Sequence, residues 1–145
     1  MTDKIDALQT LYTRLIDSRD GYQQAKEHAD KGAHAELFSS MLQRRTTNAA
    51  QVREYITKAG GTVDDDGSIL AAAHRQWLNL KDTFTSGDDA VLNEVIRGEE
   101  SLLEAYDEAI AATGANDPEL SWLSDQYTDL KMQVDNLKAR EARAA

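Results

Sequence analysis

Apolar side chains return at intervals of three and four along most of this chain, the spacing of helices that each bury one face. Ile5, Leu8, Tyr12, Leu15, Tyr22 and Ala29 fall on one stripe and predict a helix over 3–31, capped by Thr2 and stopped at Gly32. Leu37, Met41, Val52 and Tyr55 predict a second over 33–59, with the Gly60–Gly61 pair as its C-terminal stop. A third is predicted over 89–112 behind Asp88 as cap, carrying Leu92, Ile96, Leu103, Tyr106 and Ile110 inward. A fourth, over 117–141, opens with Asp117 as cap and Pro118 in its first turn, then repeats Leu120, Leu123, Tyr127, Leu130, Val134 and Leu137. One proline, eight glycines and no convincing strand alternation argue for an all-α chain.

The connections decide the architecture. The turns at Gly32 and Gly114 are short, so each pair of helices folds back as an antiparallel hairpin. Residues 60–88 are too many for a structureless loop in a compact domain. Within them Ser68 can cap a helix over 69–84 with Ile69, Ala73, Trp77, Leu80 and Phe84 on one face, long enough at 1.5 Å per residue to reach about 24 Å. That reach predicts a single domain over 1–145: a ferritin-like antiparallel four-helix bundle with a long helix-containing crossover between helices two and three. The competing topology is a five-helix array without the crossover. In the crossover Trp77 packs on the bundle. His74, one residue off the apolar stripe and without an acidic neighbour at ligand spacing, reads as a structural hydrogen-bond donor.

The stretches "GSILAAAHRQWLNLK" and "GDDAVLNEVIRGEESLLEAYDEAI" resemble bacterial ferritin-like four-helix-bundle proteins that carry a domain of unknown function. The most specific parts are "GG" followed by "GS", the "HRQWLNLK" block, and "RGEE" with Tyr106 six residues beyond Glu100. The resemblance covers nearly the whole chain, though its first and last helices match only in general pattern. It implies the fold, a bacterial source and a loose relation to stress-associated ferritin-like proteins, and no particular reaction.

Composition narrows the possible chemistry. The absence of cysteine excludes disulfides, thiolate metal sites and a cysteine nucleophile. With 26 acidic against 16 basic residues the net charge is -10, which repels nucleic acid and anionic lipid, so neither is expected as a partner. No stretch is long and apolar enough for a membrane span and the start lacks a signal-peptide pattern, which predicts a cytoplasmic protein.

A ferritin-like bundle raises the question of a carboxylate-bridged pair of iron or manganese ions, which takes a Glu-x-x-His motif from each of two helices. Three residues before His28, His34 and His74 stand Ala25, Lys31 and Ala71, so the motif occurs nowhere. His28 and His34 fall at the first turn and read as solvated turn residues. Continuing each stripe through the middle of its helix instead reaches polar side chains: Glu99 on helix three, Arg45 and Asn48 on helix two with Arg44 as the choice in a rotated phase, and Ser18 or Arg19 on helix one. Helix four stays apolar there. A lone buried carboxylate is too costly to keep, which predicts a Glu99–Arg45 ion pair completed by Asn48 or Ser18. In the competing placement the two charges sit solvated at the bundle edge.

Other constellations carry less. Glu100, Glu104 and Glu108 line one face of helix three as a solvated acidic stripe, and "DDDG" at 64–67 lacks the ligand spacing of a calcium loop. Ser68 and Ser86 sit at helix starts where capping accounts for them, so no catalytic residue and no cofactor is assigned. The chain therefore reads as a non-enzymatic interaction or stress-associated module with a degenerate metal site. The alternative is a di-metal oxidase or storage protein holding ions through Glu99 and Glu100. Tyr12, Phe38, Trp122 and Met132, if left outside a four-helix core, would supply the interface of a homo-oligomer or protein partner.

Overall fold

The computed structural model describes residues 4–28, 34–63, 88–114 and 120–144, and among them there are four helices and no strand. These are α1 (Lys4–His28), α2 (Ala35–Lys58), α3 (Asp88–Thr113) and α4 (Ser121–Ala144). The predicted crossover helix over 69–84, with His74 and Trp77, lies outside the described residues, as do the Thr2 and Asp117 caps and the Gly32 stop. Asp88 opens α3 as its first helical residue instead of preceding it, and α4 runs on beyond the predicted position 141.

Glycine ends α2 as predicted, through a specific local geometry. Gly60 takes a φ of 86°, the left-handed conformation that a Cβ disfavours. The Gly60 and Gly61 amides then turn back to donate to the carbonyls of Thr57 at 3.1 Å and Ile56 at 2.9 Å, a Schellman closure of the orphan carbonyls. Gly61 is needed for a different reason: a Cβ there would lie 2.8 Å from Ile5 Cγ2 and 2.9 Å from Ile56 Cγ2. The Gln9 side-chain amide donates to the Thr62 carbonyl at 2.6 Å and ties the exit of α2 to α1. Gly114, with φ 87°, ends α3 in the same conformation and donates to the Ile110 carbonyl at 3.0 Å.

The interior falls into two apolar clusters. The larger joins Leu8, Leu11, Leu15, Val52, Ile56, Leu102, Ala109, Leu123, Leu130 and Val134, among others. The smaller, toward the start of α2, gathers Tyr22, Ala25, Phe38, Met41, Val91, Leu92, Val95, Ile96 and Leu137. Each fully buried Leu or Ile contributes about 1.5–3 kcal/mol relative to exposure, so these clusters supply the main driving force for folding.

Several side chains sit one position from the predicted stripe. On α2 the buried residues are Phe38 and Ile56, whereas Leu37 and Tyr55 are half-buried. On α3, Leu102 and Ala109 are buried where Leu103 and Ile110 were the expected positions. The cause is a choice between adjacent apolar residues: Leu37–Phe38, Tyr55–Ile56 and Leu102–Leu103 each offer two candidates 100° apart, and packing selects one. Tyr12 and Phe38 are buried and so do not form an outer surface, Trp122 is half-buried against Tyr55, and Met132 remains 60% exposed.

Candidate functional site

Between the two apolar clusters the stripes of α1, α2 and α3 each carry a polar residue at the same level. Ser18 stands three residues beyond Leu15 and four before Tyr22, Arg45 four beyond Met41 and four before Ala49, and Glu99 three beyond Ile96 and three before Leu102. These are helical-face spacings, so the burial that pulls the neighbouring apolar residues inward takes the polar ones with it. Glu99 is 0% exposed, Arg45 1% and Ser18 3%.

The geometry around the carboxylate is closed. Arg45 Nε and Nη2 both donate to Glu99 Oε2, at 2.9 and 2.6 Å, and the Ser18 hydroxyl donates to Oε1 at 2.6 Å. The remaining guanidinium donors go outward along α2 and across to α4: Nη1 to Asn48 Oδ1 at 3.0 Å, and Nη2 also to Gln133 Oε1. A buried ion costs several kcal/mol to desolvate, which only close pairing and further hydrogen bonds offset. Both conditions hold for these two groups. Burial opposes the charge on Arg45, but the Glu99 carboxylate outweighs it and holds the guanidinium above its ordinary pKa.

Two tyrosines border the pair. The buried Tyr22 hydroxyl has no hydrogen bond of normal geometry, and burial first, then the negative charge of Glu99, push its pKa well above the usual phenol value. Tyr106 is also raised by burial, with Arg45 pulling it down and Glu99 pushing it up. Its hydroxyl donates to Gln126 Oε1 at 2.7 Å, and Gln126 Nε2 donates to Gln51 Oε1 at 2.8 Å. A second polar chain thus links α3, α4 and α2 next to the first.

The contribution of α4 departs from the expectation that its centre is apolar. Gln133 reaches Arg45 and Gln126 is buried at 7% exposure, because each lies beside an apolar stripe residue and extends past it. Glutamine is common on exposed helix faces, and nothing in the α4 pattern separates these two from surface residues. Arg44, the rotated-phase alternative, points outward, and Arg19 pairs with its neighbour Asp20 at 3.0 Å on the surface.

The remaining candidate ligands do not join Glu99. Glu100 is exposed and pairs with Lys138 at 3.1 Å, and Glu104 and Glu108 are exposed. Among the described residues no three His, Cys, Asp or Glu side chains form a group that could hold a metal ion. The Glu99 carboxylate is already taken by a guanidinium and a hydroxyl, and a cation would have to displace Arg45 to reach it. His34 corrects another expectation: it is 6% exposed, rests against the Phe38 ring at 5.9 Å, and its Nδ1 lies 3.1 Å from Arg140 Nη1. A guanidinium only donates, so Nδ1 serves as the acceptor and His34 is a buried joint between the start of α2 and the end of α4. The His28 side chain and His74 lie outside the described residues.

Among the described residues no helix is long and apolar enough to cross a membrane. No curated protein and no solved structure matches the chain. The family model for a domain of unknown function (DUF2383) matches residues 3–112, well over half of the 145 residues, and includes α1, α2 and nearly all of α3 with Ser18, Arg45 and Glu99; the chain belongs to that family.

Proposed function

We propose that this domain is a ferritin-like bundle whose central metal position has given way to an ion pair, and that it acts as a non-enzymatic interaction or stress-associated module. The observation that carries the reading is the Arg45–Glu99–Ser18 cluster, which neutralises the buried carboxylate with a fixed positive charge. A guanidinium is charged at every physiological pH and repels cations from the one candidate ligand beside it.

The connectivity belongs to the same reading. Ile5 at the start of α1 meets Gly61 beyond the end of α2, while Tyr22 near the other end of α1 meets Phe38 near the start of α2. Between α2 and α4, His34 meets Arg140 and Tyr55 meets Trp122; between α3 and α4, Tyr106 meets Gln126 and Glu99 shares Arg45 with Gln133. These pairings support helices one and two antiparallel, three and four antiparallel, and two parallel to three. That set of directions, with two parallel to three, is the one that ferritin-like folds share. The partner is a protein or a second copy of the chain, in a cytoplasmic setting.

The test is the metal content of the full chain purified from cells fed iron or manganese. The expected result is far less than one tightly held ion per chain. About two ions per chain, the stoichiometry of a carboxylate-bridged site, would overturn the reading and favour the oxidase or storage alternative through Glu99 and Glu100.

A further inference from the structure

A pocket between α2 and α4 has part of its wall built on the buried ion pair. It is an open groove of about 420 Å³, lined by Ser40, Arg44, Thr47 and Asn48 from α2 and by Asp129 and Gln133 from α4. Asn48 and Gln133 are the two carboxamides that Arg45 holds from beneath. Because a guanidinium has five donors and no acceptor, both carboxamides must turn their oxygens toward it. Their NH₂ groups meet no acceptor among the described residues, so the pocket wall is left with amide donors whose orientation is fixed by a side chain that is 1% exposed.

The rim carries both signs of charge. Arg44 on α2 and Asp129 on α4 line the same pocket, and neither makes an ion pair among the described residues. They are therefore farther apart than the roughly 4 Å of a direct pair. The Thr47 hydroxyl donates to the Gln43 carbonyl at 3.1 Å, which leaves its lone pairs as acceptors. Arg44, Asn48 and Gln133 supply donors to the pocket, and Asp129 and Thr47 supply acceptors.

We propose that this pocket binds a small zwitterion of the free α-amino acid class, its carboxylate on Arg44 and the Asn48 and Gln133 amides, its ammonium on Asp129. A simple anion satisfies only the first set and is repelled by Asp129; a simple cation satisfies only the second and is repelled by Arg44. The proposal depends on the contacts of Arg45 and stands apart from whether the bundle centre ever takes a metal.

The test is a titration of the isotopically labelled full chain with L-serine, followed by backbone and side-chain amide NMR, with acetate and ethylammonium as single-charge controls. L-Serine shifts the Asn48 and Gln133 side-chain amides together with the backbone amides of Arg44 and Asp129, with a Kd of about 1–10 mM, the range open to a small ligand on a solvent-facing site. Arg44→Gln and Asp129→Asn, both at surface positions, each weaken it about tenfold or more while leaving the rest of the spectrum in place. The proposal is overturned if L-serine moves none of these resonances, if acetate or ethylammonium binds as tightly as L-serine, or if either variant binds it as the parent does.

Discussion

Arg45 gives two hydrogen bonds to a single oxygen of Glu99, Oε2, and leaves the other oxygen to Ser18 on a different helix. The carboxylate is thus shared among α1, α2 and α3, and Gln133 brings α4 to the same guanidinium. Removing one member leaves the opposite charge buried. Glu99→Ala and Glu99→Gln should each cost about 3–5 kcal/mol in chemical denaturation, with Gln at the lower end because it keeps the shape and an acceptor for Ser18. A combined Arg45→Met, Glu99→Leu variant should recover most of that loss, since apolar replacement of a whole buried pair is often neutral or stabilising. A cost below about 1 kcal/mol for both Glu99 variants would contradict the buried pairing.

The phenols set the response to alkali. Tyr22 and Tyr106 both have folded pKa values raised above the ordinary value near 10. Raised folded values mean that the folded state holds these protons more tightly than the unfolded chain does. Their stabilising effect is complete below pH 10 and is lost as pH rises from 10 through the folded values, by about 1.4 kcal/mol per pH unit for each tyrosine. Denaturation midpoints measured from pH 9 to 11.5 should fall steeply above pH 10, and Tyr22→Phe should reduce the slope by about half. Absorbance at 295 nm should show Tyr22 and Tyr106 ionising only with unfolding.

The second polar chain gives a smaller effect. Tyr106→Phe deprives Gln126 Oε1 of its donor while changing little of the packed volume. The expected loss is about 1–2 kcal/mol by denaturation, the range for a buried acceptor left unsatisfied. Tyr22→Phe removes a hydroxyl that has no hydrogen bond of normal geometry, and at neutral pH should cost less than Tyr106→Phe. A larger loss for Tyr22→Phe than for Tyr106→Phe would reverse the roles assigned here.

The close approach at the end of α2 gives a steric prediction. Gly61→Ala drives a methyl against Ile5 Cγ2 and Ile56 Cγ2 and should cost about 1–3 kcal/mol. Gly60→Ala meets open space and pays only for its left-handed backbone, about 1–2 kcal/mol. Ile5→Leu moves the branch away from Cβ and should partly rescue Gly61→Ala but not Gly60→Ala, which a double-mutant cycle would detect.

Much of the fold is legible in the sequence because helical spacing is redundant. Losing one stripe residue to its neighbour, as Leu37 to Phe38 or Leu103 to Leu102, leaves the helix and its face intact. The central layer is legible where a polar residue interrupts a stripe at its own position. Glu99 stands where an apolar residue is due, and Arg45 and Ser18 where the continued period falls. Gln133 and Gln126 are not legible in this way, since Leu130, Val134 and Leu123 already satisfy the pattern of α4 and glutamine carries no signal of burial. Tyr22 and Tyr106 are visible as apolar bodies, but only the packed structure shows where their hydroxyls point. His34 looks solvated by its place at a turn, and its burial depends on Arg140, distant in sequence.

The polar layer also works as a detent between the two apolar clusters. A slide of one helix by a single turn, about 5.4 Å, would carry Glu99, Arg45 or Ser18 out of reach of the others and press a bare charge against leucine or isoleucine. Greasy surfaces alone tolerate such slippage, because one apolar ridge replaces another at little loss. Here the alignment of the helices has one position at which Arg45 and Glu99 answer each other, whatever purpose the bundle serves.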